Sequence, residues 1–279
     1  MSGLPPCPVC SAAGPSLAFA LQHGLLRCGA CGLLYSERVA GADLVGYYAS
    51  DPEGFFDSAY FDASGQDASH PEAANYRDAL SRLRAAAGPG RLLDVGCGNG
   101  ALLRAAAALG FAAEGLEVSA KAAARAGGFP VRVYDGDLPR LPPCGPYDAV
   151  VLWDVLEHLG DPVGSLRALR GCLKPGGRLL VRTIDEDCLL AAASLALTRL
   201  GVDAAARRMH EVYHVVYFTR RSLDDCLRRA GFAPESRWDG EFPVERASRS
   251  RVVRVLLRGA YALQGLFGRR FEQYVIARA

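Results

Sequence analysis

The sequence predicts an α/β protein with a doubly wound, mostly parallel sheet, preceded by a small module. Between residues 91 and 185, strand-like apolar segments alternate with helix-like segments. The strands, such as "YDAVVLWDV" at 147–155, are almost continuously apolar, which is typical of parallel strands covered by helices on both faces. The chain has 279 residues, half of them hydrophobic, enough for one large domain and a small one.

Two C-x-x-C pairs mark the small module. The first pair is Cys7 and Cys10, the second is Cys28 and Cys31, and 17 residues lie between the two pairs. Each pair can direct two thiolates at one point, and four thiolates make a closed tetrahedral zinc site. A redox pair or free structural thiols are the alternatives, but neither requires two pairs at this spacing. We therefore predict a structural zinc ribbon at 1–40, with no open coordination position for catalysis.

A connector and cap are predicted at 41–88. The segment begins with the aromatic stretch "GYYASDPEGFFDSAYF" at 46–61 and ends in an expected helix at 71–87. Ser69 is a candidate N-cap for this helix, and Pro71 suits its first turn.

The main domain is predicted at 89–279. Its expected strands are 91–96, 112–119, 131–137, 147–155, 177–185 and 271–279, and its expected helices are 101–110, 120–128, 161–173 and 219–232. Two segments are additions to the repeating pattern: a lid at 185–218 after the fifth strand, and a basic amphipathic insert at 246–270 that interrupts the final pair of strands.

The loop "LLDVGCGNG" at 92–100 indicates a ligand. Gly96, Gly98 and Gly100 follow the first strand, so that a ligand can approach the backbone closely. The spacing is G-x-G-x-G, whereas dinucleotide loops read G-x-G-x-x-G, and no Gly-Lys-Ser/Thr of a P-loop follows. Asp94 at the strand end would repel a pyrophosphate, but it can pair with a ligand ammonium group.

Two acids at the ends of the next strands narrow the choice of ligand. Glu117 ends the second strand, where a carboxylate can accept hydrogen bonds from ribose hydroxyls. Asp137 follows the third strand and can accept from an adenine amino group. A ligand with an ammonium group, a ribose and a purine, and with no evident phosphate site, is S-adenosylmethionine.

Five blocks in this order resemble the class I S-adenosylmethionine-dependent methyltransferases. They are "LLDVGCGNG", "GLEVS", "GDLPRLP", "YDAVVLWDVLEHLGDP" and "LKPGGRLLVRT", and the resemblance covers about residues 72–279. It implies a seven-stranded, Rossmann-like methyltransferase fold that binds S-adenosylmethionine. The cofactor residues that it implies are Asp94, Gly96, Gly98 and Gly100 for the methionine part, Glu117 for the ribose, Asp137 and Leu138 for the adenine, and Trp153 near the cofactor.

The acceptor side is predicted around the lid. The stretch "HVVYFTRRSL" at 214–223 resembles a segment of quinone-pathway O-methyltransferases and of zinc-containing sugar C-methyltransferases. On that match His214 is the candidate general base or acceptor-positioning residue, since a neutral imidazole suits the task at physiological pH. The alternative is a histidine packed into the lid. Glu157 and His158 of "WDVLEH" are interpreted as structural, and Cys144 as a loop thiol.

The insert at 246–270 carries three arginines at helical spacing. Arg251, Arg254 and Arg258 are expected opposite the apolar residues Val252, Leu256 and Tyr261. Such a helix most often packs its apolar side on the domain. Peripheral contact with a membrane or with a lipid-linked substrate is the second interpretation.

The predicted function is methyl transfer to a small or lipid-like metabolite, with O- or C-methylation of a glycosyl or quinone-like acceptor favoured. The alternatives are an RNA methyltransferase with a ribbon that docks RNA, and a non-catalytic zinc-ribbon adaptor. Nucleic acid is disfavoured because the net charge is only +2 and residues 1–40 contain only Arg27 and Arg38 as basic residues. The intact cofactor series argues against an adaptor. Paired cysteines and an N-terminus without a signal pattern predict a cytoplasmic protein.

Overall fold

The computed structural model describes residues 4–20, 24–39, 44–50, 72–211, 213–247, 250–266 and 268–279. The strands are β1 (Ser16–Ala20), β2 (Gly24–Arg27), β3 (Leu34–Ser36), β4 (Arg91–Val95), β5 (Ala112–Glu117), β6 (Val131–Val133), β7 (Tyr147–Trp153), β8 (Leu173–Ile184), β9 (Val216–Tyr217), β10 (Ala233–Gly240) and β11 (Glu272–Arg278). The α-helices are α1 (Leu44–Ser50), α2 (Ala73–Ala87), α3 (Ala101–Ala108), α4 (Ala120–Ala123), α5 (Pro162–Gly171), α6 (Leu189–Thr198), α7 (Ala204–Met209), α8 (Arg220–Arg229), α9 (Val244–Ala247) and α10 (Arg251–Leu266). Single 3-10 turns are formed by Leu138–Arg140 and Leu156–His158.

A seven-stranded sheet forms the centre of the molecule and confirms the predicted fold class. Its strand order is β10-β11-β8-β7-β4-β5-β6. Strands β4 to β8 run parallel, while β11 is antiparallel to both β8 and β10. Because the parallel strands share one direction, the carboxyl ends of β4, β5 and β7 lie at the same edge, where ligands bind in open α/β sheets.

Alternate residues of the central strands face two separate cores, which explains their continuous apolarity. On β7, Val150 and Leu152 join one cluster, and Ala149 and Val151 join the other. The first cluster includes Leu166 and Leu169 of α5 with Leu223 and Leu227 of α8. The second includes Leu80 and Leu83 of α2 with Leu102 and Leu103 of α3. Helices therefore cover both faces of the sheet.

The N-terminal strands form a second sheet that reaches into the lid. Strands β1, β2 and β3 are antiparallel, and β9 continues the sheet beyond β3, with Leu34 opposite Tyr217 and Tyr35 opposite Val216. Cys7 and its three partner cysteines pack in or against the same apolar cluster as residues of β9 and α8. The ribbon thus shares a core with the larger domain.

Several expectations about local structure change. Within the segment predicted as a helix at 120–128, the structure has only the short α4, and the chain turns at Gly127 and Gly128, whose φ angles are 70° and 87°. Helix α2 begins at Ala73; Ser69 and Pro71, its predicted cap and first-turn residue, lie outside the described residues. Most of the aromatic connector also lies outside them.

The prediction that Cys144 is a loop thiol is wrong. Cys144 forms a disulfide with Cys172. The two cysteines are 28 residues apart, and parallel pairing of β7 and β8 brings the segments before those strands together. Sequence spacing alone carries no sign of that pairing.

Candidate cofactor and acceptor site

The glycine loop after β4 adopts a backbone that favours glycine. Gly96, Gly98 and Gly100 have φ angles of 72°, 51° and 78°, in the left-handed region. At Gly96 the space is also limiting, because a Cβ there would lie 2.6 Å from Cγ2 of Val155. The Gly96 N–H donates to the carbonyl of Leu116 at the end of β5, at 2.7 Å. The loop therefore lies between the ends of β4 and β5.

Asp94 is a buried carboxylate that lacks a compensating charge. Its exposed fraction is 2%, and no cation or hydrogen-bond donor of the described residues offsets the effect of burial on its pKa. Burial, and then the charge of Glu117, raise the pKa of Asp94 well above its usual value. A cationic ligand group at this position would relieve both effects. The ammonium group of S-adenosylmethionine fits that requirement.

Glu117 is held by the loop it adjoins. Its carboxylate accepts hydrogen bonds from the backbone N–H groups of Gly98, at 2.8 Å, and Ser119, at 2.9 Å. Burial raises the pKa of Glu117, and these N–H donors act in the opposite direction. Since each carboxylate oxygen has two lone pairs, each can still accept one hydrogen bond from a ribose hydroxyl.

The third part of the predicted cofactor set lies after β6. Asp137 is exposed and precedes the 3-10 turn, whereas the side chain of Leu138 is buried. The hydroxyl of Tyr134 donates to the Asp137 carbonyl at 3.0 Å, which holds the backbone of this turn. An exposed carboxylate next to a fixed backbone turn suits the edge of a purine.

Trp153 ends β7 inside an aromatic cluster. It makes edge-to-face contacts with Tyr76 and Tyr274, with ring centroids 4.7 and 5.5 Å away. Its indole Nε1 is buried and has no acceptor among the described residues. Asp154, the next residue, has a φ of 54°, which is strained for a residue other than glycine. The chain therefore turns sharply where β7 meets the site.

Behind Trp153 lies a buried charge cluster that no sequence motif announced. The guanidinium of Arg182 forms ion pairs with Asp154 and Glu272, and its Nη2 is 3.6 Å from Oε1 of Glu72. One cation therefore faces three carboxylates. Burial raises the pKa of Glu72, which favours the neutral form of that carboxyl group beside Arg182. The four residues come from four separate segments, so only the fold brings them together.

Glu157, His158 and His214 meet at the end of β7. One ligand-type atom of each lies within 4.8 Å of those of the other two, and the two imidazole centroids are 4.7 Å apart. The sequence predicts a structural role for Glu157 and His158 and an acceptor role for His214 alone. The structure brings all three to the same place.

The hydrogen bonds of His158 identify which ring nitrogen carries the proton in its neutral form. Its Nδ1 lies 2.9 Å from the carbonyl oxygen of Tyr213 and 3.1 Å from the hydroxyl of Tyr48. Because a carbonyl only accepts, Nδ1 carries the proton and Nε2 carries a lone pair. Burial lowers the pKa of His158, which keeps this ring neutral at physiological pH. Burial and then Asp154 raise the pKa of Glu157 to about 8.

Comparison with known proteins decides the family. A family model described as "Methyltransferase domain" matches residues 69–237, more than half of the chain. The chain is an S-adenosylmethionine-dependent methyltransferase.

Curated relatives of this methyltransferase act in quinone biosynthesis. The ubiquinone biosynthesis O-methyltransferase of Ruegeria pomeroyi is 34% identical over 156 residues, which are 53% of this chain and 61% of that protein. The one from Xanthomonas axonopodis pv. citri is 32% identical over 155 residues, 52% of this chain and 63% of that protein. This chain thus spans a little over three fifths of the length of these relatives.

A solved structure supports the fold. Magnesium protoporphyrin IX methyltransferase from Synechocystis PCC 6803, with bound SAH, superposes with a TM-score of 0.53 at 17% identity. The match covers 85% of this chain and 99% of that one. Within the described residues, no helix of the methyltransferase is long and apolar enough to cross a bilayer.

The lid of the methyltransferase is bonded both to the site and to the ribbon. Val215 donates from its N–H to the carbonyl of Glu157 at 2.9 Å, and its own carbonyl accepts from the N–H of Ser36 at 2.9 Å. The ring of Tyr47 in α1 stacks on Tyr213, with centroids 4.8 Å apart. His214 is therefore positioned by the backbone hydrogen bonds of Val215, which follows it, and by the ring stacking of Tyr213, which precedes it.

His210, the other lid histidine, has a different role. Its Nε2 lies 3.0 Å from a carboxylate oxygen of Glu186, and its Nδ1 lies 3.0 Å from the carbonyl of Ala206. Both ring nitrogens are thus used inside the lid, and the ring is buried. This arrangement makes His210 a packing residue of the lid.

The four N-terminal cysteines converge as their spacing predicts. The sulfurs of Cys7 and Cys31 are 3.6 Å apart, those of Cys10 and Cys28 are 3.4 Å apart, and all four lie within 4.8 Å of one another. Zinc–sulfur bonds of about 2.3 Å in a tetrahedron require sulfurs about 3.8 Å apart. The donor set therefore fits a zinc ion.

The backbone of the two cysteine turns has the same construction. Ser11 donates to the carbonyl of Cys7, and Gly32 to that of Cys28, each at 2.9 Å. Ser11 and Gly32 have φ angles of 60° and 80°. The equivalent turns direct both pairs of thiols to one point.

Proposed function

We propose that this methyltransferase methylates a hydroxyl group of a small phenolic or quinone-like acceptor. The observation that carries the proposal is the pair of histidines beside the end of β7, where the ring of His214 lies 4.7 Å, centroid to centroid, from the neutral ring of His158. A phenolic hydroxyl must lose its proton as its oxygen forms the bond to carbon, so a neutral imidazole is the group that this reaction needs. The quinone-pathway relatives support the same acceptor class.

Asp94, Glu117 and the loop glycines would hold S-adenosylmethionine, with Asp137 and Leu138 at the adenine. When bound, the cofactor supplies an electrophilic methyl group. Asp94 would orient the ammonium group by a charge-assisted hydrogen bond, and Glu117 would accept from the ribose. Trp153 would lie near the cofactor, where the chain turns at Asp154. Alignment of the two reactants is itself a large part of the catalysis.

In the acceptor half, we propose His214 as the general base, with His158 beside it. The acceptor hydroxyl would lose its proton to the imidazole of His214, which frees an oxygen lone pair for the methyl group; the cofactor would supply that group by breaking its carbon–sulfur bond, with the electron pair left on sulfur. Tyr213 and Tyr48 keep the proton of His158 on Nδ1 and so keep its Nε2 basic.

The test uses a catechol probe and labelled S-adenosylmethionine. We expect His214→Gln to lower kcat by about 100-fold or more, the usual contribution of a general base, with cofactor affinity unchanged. The acidic limb of the pH–rate profile should also disappear. His210→Gln is the matched control, since it changes a lid histidine whose nitrogens are occupied, and kcat should remain within a few-fold.

Two outcomes would overturn the proposal. A His214→Gln enzyme with an unchanged kcat and pH profile would exclude the histidine as base. Label that enters total RNA, or carbon atoms of a sugar nucleotide, and never a catechol would exclude the acceptor class.

We also propose that Cys7, Cys10, Cys28 and Cys31 hold a structural zinc ion. The converging sulfurs and the matched turns support it. Because all four ligands are thiolates, the ion would organise the ribbon and leave no position for a reactant. Its effect on catalysis would be indirect, through the pairing of β3 with β9 next to His214.

A further inference from the structure

Along the chain, helix α10 lies between β10 and β11, and no residue assigned to the cofactor or acceptor site belongs to it. Its orientation is fixed by two buried residues, Tyr261 and Gln264. The side-chain oxygen of Gln264 accepts from the N–H of Leu190 at 3.2 Å, and the ring of Tyr261 lies 6.4 Å from that of Phe271, centroid to centroid. These contacts define the side of α10 that faces the protein.

The opposite side of α10 is apolar and exposed. At about 100° per residue, five large side chains fall within an arc of about 100° that points away from Tyr261 and Gln264. They are between 54% and 82% exposed, and they are Val252, Val255, Leu256, Leu263 and Leu266. Gly259, near the centre of the arc, is the only other residue of α10 within it, and Ala262 lies just beyond one edge; neither contributes a polar side-chain atom. A helix of a globular domain normally has its apolar stripe toward the core. Here the sequence expectation that the apolar side packs on the domain holds for Tyr261 only.

Arginines line one edge of this apolar face. Arg251 and Arg258 are exposed, Arg254 is half-buried next to them, and the helix contains no acidic residue. Arg258 forms an ion pair with Glu245 at 2.7 Å, and because both side chains are exposed to solvent this pair is weak, so a lipid phosphate can compete for the guanidinium. The exposed surface is therefore apolar along its centre and cationic along one side.

We propose that this face of α10 lies on the surface of an anionic lipid bilayer. Interfacial helices place their apolar side chains at the boundary of the acyl chains, and their basic residues contact lipid phosphates. At about 1.5 Å per residue, the 16 residues of α10 make a helix about 24 Å long, which suits a helix in the plane of the membrane and not one that spans it. A second copy of the chain is the less fitting occupant, since it would bring a further cationic edge and no acid.

This inference does not depend on the acceptor, and it adds an interaction surface to the methyl-transfer activity. If the acceptor is lipid-like, the surface would place the enzyme where the acceptor is concentrated. The docking residues lie outside the cofactor site, so the two properties can be changed separately.

The experiment is co-sedimentation of the full chain with vesicles. One set of vesicles is phosphatidylcholine, and the other is an equimolar mixture of phosphatidylcholine and phosphatidylglycerol. We expect binding to the anionic vesicles that weakens with added salt, and much weaker binding to phosphatidylcholine. The double variant Leu256→Gln/Leu266→Gln should lose at least tenfold in affinity for the anionic vesicles.

Charge and hydrophobicity are tested by separate variants. Arg251→Gln should lower the affinity for anionic vesicles about fivefold and leave binding to phosphatidylcholine unchanged. Val133→Gln is the matched control, since Val133 is also an exposed apolar residue but lies on β6, at the other edge of the sheet. Its vesicle binding should equal that of the wild type. Thermal unfolding and cofactor binding of every variant show that the fold is retained.

The proposal is overturned if the wild type binds neither kind of vesicle. It is also overturned if sedimentation shows a dimer that Leu256→Gln/Leu266→Gln dissociates while vesicle binding is absent, because the face would then bind a second copy. Equal loss of binding in Val133→Gln would show that the effect is not specific to α10.

Discussion

Asp94→Asn separates the stability of the free enzyme from its affinity for S-adenosylmethionine. In the free enzyme the carboxylate is 2% exposed, has no partner among the described residues, and lies near the charge of Glu117. Asparagine has nearly the same shape and removes the charge. We therefore expect the substitution to stabilise the free protein and to weaken cofactor binding.

The sizes of the two effects are estimated separately, for the complex with S-adenosylmethionine and for the free protein. A hydrogen bond to a charged group contributes about 1.5–3 kcal/mol, so losing the pair with the ligand ammonium should raise the Kd about 10- to 150-fold. In the free protein, each unit by which burial raises the pKa of Asp94 corresponds to about 1.4 kcal/mol lost when the group ionises. The free variant should therefore have a higher Tm than the wild type at neutral pH.

The pH dependence has a defined sign. Because the folded pKa of Asp94 is raised, the folded state binds more protons than the unfolded state above the unfolded pKa of about 3.9. The stability of the free wild type should then fall, relative to the variant, as pH rises from there through the folded pKa. Cofactor affinity of the wild type should rise over the same window, and that of Asp94→Asn should not.

Isothermal titration calorimetry and thermal unfolding across pH measure both effects. Asp148→Asn is the matched control: Asp148 is also on the sheet, but it pairs with Lys174 at 2.7 Å and lies near the amino end of β7. This control should lose up to about 1 kcal/mol of stability and keep its cofactor affinity. An unchanged Kd in Asp94→Asn, or a free variant that is less stable than the wild type, would refute the reasoning.

Three further predictions concern the parts around the cofactor. Cys28→Ser should lower the zinc content measured by mass spectrometry and increase hydrogen exchange in β9, since β3 pairs with β9; full zinc occupancy would contradict it. Glu157→Gln should remove a loss of stability that the wild type shows in denaturant titrations as pH rises toward the Glu157 pKa of about 8, and equal pH profiles would contradict this. Arg182→Met leaves buried carboxylates uncompensated and should destabilise by about 3–5 kcal/mol in urea, whereas a loss under about 1 kcal/mol would show that the carboxylates take up protons instead.

The predictions that succeeded depend on neighbours in sequence. The strands of the parallel part of the sheet follow from apolar segments a few residues long. The loop glycines lie within nine residues of "LLDVGCGNG", and their φ angles are those that a close backbone approach requires. The convergence of the cysteines similarly follows from two short turns, at Cys7 and Cys28. Local geometry alone was enough for these features.

The predictions that failed, or were not made, depend on segments far apart in the chain. The exception is the helix predicted at 120–128, a local failure, since only Ala120–Ala123 are α-helical there and the chain turns at Gly127 and Gly128. Cys144 was missed as a disulfide partner because Cys172 lies 28 residues away, just before the next strand. For α10, periodicity showed an amphipathic helix but not which side faces the protein. The contacts of Gln264 and Tyr261 determine that side.

The sequence by itself determined the fold class, the glycine loop after the first strand of the main sheet and the convergence of four cysteines, because each is encoded by residues close together in the chain. Only the tertiary structure decided that His158 joins His214, that Arg182 meets Glu72 and Glu272, and that the ribbon shares a sheet with the lid. These contacts join segments that no spacing rule relates. They form because packing of the sheet, the helices and the lid brings those side chains to one edge, where burial then sets their charges.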